Sequence, residues 1–149
     1  MIALIQRVTR AEVRVQDRSV ADIGPGLLAL IGIVRGDGAA QAARLLQRLL
    51  DFRLFGDESG RMNRSLRDTR GGLLLVPQFT LAADTDAGNR PGFQGAAEPA
   101  LARALYEQLL GEARAAHGSV GSGEFGAHME VSLVNDGPVT FWLEVPPEA

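Results

Sequence analysis

Thr80 supplies a hydroxyl and Gln78 an amide within Pro77-Gln78-Phe79-Thr80-Leu81, which closes an apolar run just before a long polar, glycine-rich stretch. A buried strand that opens into a loop is a frequent place for chemistry. There the backbone N–H groups of Phe79 and Thr80 are able to face a developing oxyanion, although ordinary strand packing is the simpler account of these residues. Arg7 is a second candidate, sharing one face of an alternating strand with Ala3 and Ile5. A covered arginine must find carboxylates or carbonyls, and it serves either as that structural tie or to position a loop or ligand. Gly137-Pro138, within Asn135-Asp136-Gly137-Pro138-Val139-Thr140, is a third. Asp-Gly suits a hairpin turn, but the following proline removes a donor at a strand start and permits a cis bond. Arg61, Arg64, Arg67 and Arg70 recur every third residue, either as solvated surface or as a phosphate-contacting patch.

Composition removes most other chemistry. The 149 residues include no cysteine and no lysine, and fifteen arginines against eighteen acids leave a net charge of −3. A thiol nucleophile, cysteine zinc and iron–sulfur sites, a Schiff-base lysine and a Walker-type phosphate loop are therefore excluded. The acidic balance argues against a protein that coats nucleic acid non-specifically, since such affinity is mostly counterion release, but not against local reading of one RNA end. Gly121-Ser122-Gly123-Glu124-Phe125-Gly126 fits a dinucleotide fingerprint, yet a helix precedes it and a strand follows, so it reads as a glycine-rich lead into a strand. Asp84-Thr85-Asp86 begins like a calcium loop but places Gly88 where a ligand is required. His128-Met129-Glu130 starts a zinc-deaminase signature that cannot be completed without cysteine. A triad of Ser119 or Ser122 with His117 or His128 lacks a nucleophile elbow. His117 suits a helix end, and His128 a strand opening.

The elements that must position these residues follow from hydrophobic periodicity. Short β-rich runs cover Ile2 to Thr9, Glu12 to Gln16 and Ser19 to Ile23, with a turn at Gly24-Pro25-Gly26 and a buried strand from Leu27 to Val34. Asp37 is expected to cap a helix from Ala39 to Asp51, with Ala42, Leu45, Leu46, Leu49 and Leu50 inward. Phe52 to Phe55 and Leu73 to Leu81 read as strands. Pro99 opens a second helix whose inner face is Leu101, Leu105 and Leu109, with Gly111 near its end. Two alternating strands, around Met129–Leu133 and Val139–Val145, flank the turn at Asn135–Pro138. The result is one mixed α/β domain over residues 1–149. No apolar run is long enough for a signal peptide or a membrane span, so a soluble, cytoplasmic protein is expected.

Pro77-Gln78-Phe79-Thr80-Leu81 and Asn135-Asp136-Gly137-Pro138-Val139-Thr140 resemble the two signature motifs of the D-aminoacyl-tRNA deacylases. The resemblance extends to Ala3-Leu4-Ile5-Gln6-Arg7-Val8, Ile23–Leu28, Phe52-Arg53-Leu54-Phe55, Met62-Asn63, Asn89-Arg90-Pro91 with Phe93, and Phe125–Met129. It implies a single domain of mixed β-sheets with two helices in three layers, and a homodimer with active sites at the subunit interface. It also implies a metal- and cofactor-independent enzyme that hydrolyses the ester joining a D-amino acid, or glycine, to the 3′ end of tRNA. Under this resemblance Gln78, Phe79 and Thr80 line the reaction centre. Gly137-Pro138 is a cis chiral gate entering the partner's pocket, Arg7 orients it, and Phe125 and Met129 lie in the pocket. Rigid carbonyls at such a gate exclude L side chains without reading the D side chain. Of two catalytic proposals, attack by Thr80 or backbone N–H groups aided by the tRNA 2′-hydroxyl, the second is favoured because Thr80 has no identifiable base. No membrane or DNA partner is expected. Pro77 stands where the family usually has serine, and Gly92 where serine is common. Pro77 is a feature of a related animal deacylase that accepts some L-aminoacyl-tRNA, so a relaxed deacylase is one alternative and a non-catalytic RNA-binding module another.

Overall fold

The computed structural model describes residues 1–148. Its spine is β1 (Ile2–Val15), a single strand where the sequence suggested two. The N-terminal half of β1 pairs with β3 (Gly26–Gly32) and its C-terminal half with β2 (Arg18–Ile23). Along its other edge it pairs with β8 (Glu130–Glu144), which is also continuous in place of two strands around a turn. Beyond β3 follow β6 (Gly72–Pro77) and β7 (Val120–Ser122), both parallel, giving a mixed six-stranded sheet.

Alternation sorts the side chains onto two faces. Ala3, Ile5, Leu27, Ala29, Ile31, Leu73 and Leu75 pack against two long helices, α1 (Ala39–Asp51) and α3 (Pro99–Ala116). Leu28, Leu74 and Val76 face the opposite way, against Val8, Ala11, Val13 and Ile23 of the folded-over half. Helices, sheet and folded-over strands thus make three layers. Burying one leucine in either core contributes about 1.5–3 kcal/mol. No helix of the described residues is long and apolar enough to cross a membrane.

Several local expectations are corrected. β3 ends at Gly32, two residues before Val34. Asp37 does not cap α1: Gly38 occupies that position, and Gln41 Oε1 accepts its N–H at 2.8 Å. The Asp37 carboxylate instead receives the Met1 ammonium and the Val34 N–H, each at 2.8 Å. Phe52–Leu54 is irregular, and only β4 (Phe55–Gly56) pairs, with β5 (Met62–Arg64). A one-turn helix, α2 (Leu66–Thr69), follows, capped by Ser65 Oγ accepting from Asp68 N. On α3, Leu101 is exposed while Ala102, Leu105, Tyr106, Leu109 and Ala113 face inward, and Gly111 does not end the helix. The stripe keeps Leu105 and Leu109, and Ala102 takes the place expected of Leu101.

The connection between β4 and β5 is organised by one carboxylate. Asp57 accepts from Ser59 Oγ at 2.7 Å, Asn63 Nδ2 at 2.8 Å, Arg61 N at 3.0 Å and Ser59 N at 2.8 Å. These donors, the Ser59 hydroxyl and Asn63 amide foremost, hold its pKa well below the usual carboxylate range. A depressed folded pKa stabilises the loop fully above about pH 4, and that contribution is lost as pH falls through the depressed value. In a carboxyl NMR titration Asp57 is expected to protonate after the other exposed carboxylates. Asn63→Ala moves its midpoint upward; an ordinary midpoint in the parent protein would refute the role.

Candidate active site

β6 stops at Pro77, four residues earlier than its apolar pattern suggests, because the chain leaves the sheet there for a helical turn. Gln78 N still donates to Ile31 O at 2.7 Å, and the chain then winds into a 3₁₀ turn over Phe79–Ala82. Gly32 makes room for it: a Cβ there would stand 2.8 Å from Leu81 Cβ. The N–H groups of Phe79 and Thr80 open this turn, and neither has an acceptor among the described residues. Unpaired donors at a helical start favour negative charge in front of them.

Side chains give this turn its surroundings. The Gln78 amide donates to Thr80 Oγ1 at 2.5 Å, and among the described residues no carboxylate or imidazole accepts from that hydroxyl. Phe79 is 63% exposed and packs on Phe93, ring centroids 5.2 Å apart. Beside them lies a cavity of about 670 Å³ walled by Gln78, Phe79, Phe93, Ala102, Phe125 and Met129. Glu98 and His128 also border it. Phe125 is held against Tyr106, 6.2 Å between centroids, with the Arg103 guanidinium 4.8 Å above its ring. Tyr106 donates to Leu75 O at 2.9 Å and bonds Ser122 Oγ at 2.6 Å. Burial pushes its phenol up to about 12, so it stays neutral and structural. Ser122 is committed to that pair, and His117 Nε2 to Gly71 O at 2.6 Å, so neither forms a triad.

Arg7, Gly137 and Pro138 lie elsewhere. Gln6 pairs with Thr140 and Val8 with Asn135, so Arg7 alone stands opposite Asp136, Gly137, Pro138 and Val139. Asp136, Gly137 and Pro138 bulge out of β8 as an exposed loop with a cis Gly137-Pro138 bond, and Val139 returns to the core. Arg7 Nε donates to Asp136 O at 2.8 Å, and its NH1 donates to Leu54 O at 2.8 Å. Asn135 closes the bulge: its Oδ1 accepts from Val139 N at 2.9 Å while its Nδ2 donates to Val139 O at 3.0 Å. A Cβ on Gly137 would meet Val139 N at 2.1 Å, so only glycine fits.

The structure therefore brings Gln78, Phe79, Phe125 and Met129 to one cavity, with Thr80 just beyond its rim. It keeps Arg7, Gly137 and Pro138 away from that cavity within the same chain. Asn135 and Phe93 were present in the matching motifs without a role. The one signal for Asn135 was its place ahead of a turn, where an amide bonds back to its own backbone.

Comparison with known proteins gives the family and the fold. The family model described as D-Tyr-tRNA(Tyr) deacylase matches residues 4–144. The D-aminoacyl-tRNA deacylase of Thioalkalivibrio sulfidiphilus is 67% identical over 147 residues, 99% of each chain. That of Xanthomonas euvesicatoria is 64% identical over 144 residues, covering 96% of this chain and 99% of its own. The solved structure of a c-Myc DNA unwinding element binding protein superposes with a TM-score of 0.94 at 38% identity, covering 98% of this chain and 99% of that one. A probable eukaryotic D-amino acid tRNA deacylase, 18% identical with a TM-score of 0.84 over 97% of this chain and 98% of its own, shares the fold. Matched along nearly its whole length by the family model and by relatives 64–67% identical, this chain belongs to the D-Tyr-tRNA(Tyr) deacylase family.

Proposed function

We propose that the protein hydrolyses the ester between a D-amino acid, or glycine, and the 3′ end of tRNA. Water adds to the ester carbonyl, the bond to the ribose oxygen breaks, and that oxygen takes a proton, releasing tRNA and the free amino acid. One observation carries the reading: the unpaired N–H groups of Phe79 and Thr80 open a turn beside an apolar cavity of about 670 Å³. Aminoacyl esters are labile, so one or two preorganised oxyanion donors, each worth about 10²–10³-fold, are sufficient. The tRNA 2′-hydroxyl assists, because Thr80 Oγ1 already accepts from Gln78 and has no base beside it.

The chiral gate is Gly137-Pro138, supplied by a second copy of the chain. Its loop is exposed and remote from its own cavity, while Arg7 and Asn135 hold it rigid. Trp142, 52% exposed, with Leu4 and Leu30 beside it, offers an apolar surface for that copy. Carbonyls held at the gate leave space for hydrogen but not for an L side chain.

The test is paired deacylation of D-tyrosyl-, L-tyrosyl- and glycyl-tRNA in the presence of a chelator. Loss of the D and glycyl esters, with the L ester intact, is expected. Loss of the L ester as well would make the pocket relaxed, as the Pro77 substitution would allow. Survival of all three would refute the activity and leave RNA binding. Thr80→Ala is expected to keep activity within about threefold, since only a side-chain hydroxyl is lost while the N–H remains. A drop in kcat above about 10²-fold would instead make that hydroxyl part of the chemistry.

A further inference from the structure

Five of the arginines fall between residues 53 and 70, against three acids, on a chain of net charge −3. Arg53, Arg61, Arg64, Arg67 and Arg70 are all exposed. Among the described residues only Arg67 pairs with a carboxylate, Asp51 at 2.9 Å. Two of the three local acids are committed to turns: Asp57 closes the β4–β5 connection, and Asp68 accepts the Ser65 N–H at 2.9 Å, while Glu58 is exposed. Arg64 donates to Asp68 O at 3.4 Å, which joins β5 to α2. Ser65 caps α2 and Arg70 ends it in the left-handed region, so backbone geometry, and not ion pairing, fixes where these guanidinium groups emerge.

This surface is tied to the gate. Arg7 donates to Leu54 O at 2.8 Å, next to Arg53, and to Asp136 O at 2.8 Å, next to Gly137. The arginine segment and the gate loop therefore spring from one clamp. We infer that Arg53, Arg61, Arg64 and Arg70 form a docking surface for the phosphate backbone of an RNA stem, gripping the tRNA body beside the gate while its 3′ end occupies the cavity of the second copy that the gate enters. The inference rests on the deacylase reading above. Guanidinium groups pair phosphate oxygens two at a time, which suits a stem whose sequence is not read.

The experiment compares the parent protein with a variant carrying R53Q, R61Q, R64Q and R70Q. It follows hydrolysis of D-tyrosyl-tRNA and of 3′-O-D-tyrosyl-adenosine, which keeps the ester but has no stem. In 0.1 M salt the variant's KM for the tRNA ester is expected to rise at least about tenfold, with kcat held, and the slope of log affinity against log salt to flatten by about 3. Hydrolysis of the adenosine ester is expected to be unchanged. A control with R44Q and R114Q, on exposed faces of α1 and α3, is expected to leave both substrates unaffected. An unchanged KM and slope for tRNA overturns the inference, and so does an equal loss on both esters. Binding of uncharged tRNA is measured in parallel. If the parent protein cleaves neither ester, the activity reading fails by itself, and the salt slope for uncharged tRNA still decides the surface. Equal affinity for duplex DNA would overturn the assignment to tRNA.

Discussion

Phe79→Pro is expected to lower kcat on D-aminoacyl-tRNA by about 10²–10³-fold relative to Phe79→Ala, the loss that follows removal of one oxyanion donor. The comparison isolates an N–H group, because both variants delete the ring that packs on Phe93. Position 79 is also where proline fits best. It opens the 3₁₀ turn, so its N–H has no intramolecular partner to lose, and Gln78 before it sits at φ −140°, ψ 81°, outside the helical region that proline disfavours. Thr80→Pro would confound the test by placing proline after a residue in the turn. Single-turnover rates with saturating enzyme read the effect directly. Equal rates for Phe79→Pro and Phe79→Ala would remove this N–H from the chemistry.

Asp37→Asn should be the most damaging isosteric change to stability, at about 3–5 kcal/mol. The Met1 ammonium and the Asp37 carboxylate are 2.8 Å apart with both groups fully shielded from solvent. Met1 N also donates to Val145 O at 2.7 Å, so the pair joins the start of β1, the segment after β8 and the approach to α1. Neutralising the carboxylate leaves a buried ammonium uncompensated and turns one amide N–H toward existing donors. For a domain of this size the midpoint should drop by roughly 6–20 °C. Urea unfolding of the parent and the variant measures the difference. A change below about 1 kcal/mol would mean that the ammonium finds water in the variant.

Much of the architecture was legible where one periodic pattern acted over a long segment. The bounds of α1 follow from its leucine stripe, and the burial of β3 and β6 from unbroken apolar runs. Legibility failed where a residue's role depended on something distant. Asp37 has the type and position of a helix cap, but a buried ammonium is a stronger partner than an N–H that Gln41 also satisfies. Leu81 extends the apolar run of β6, yet the strand ends at Pro77 because the chain winds into a 3₁₀ turn that packs Leu81 over the distant Gly32.

Sequence alone excluded thiol, lysine and P-loop chemistry and singled out Gln78, Phe79, Thr80, Arg7, Gly137 and Pro138 as residues of one resemblance. Tertiary structure decided that they occupy two separate places. The register of β1 against β8 sets one residue opposite four and extrudes the Gly137-Pro138 loop. That register depends on contacts between positions 129 residues apart, such as Arg7 with Asp136. Local spacing carries no information about which distant strands pair, or in what register. Only the folded sheet could show that the Gly137-Pro138 loop lies apart from the cavity of its own chain, and that Arg7 bonds to it there.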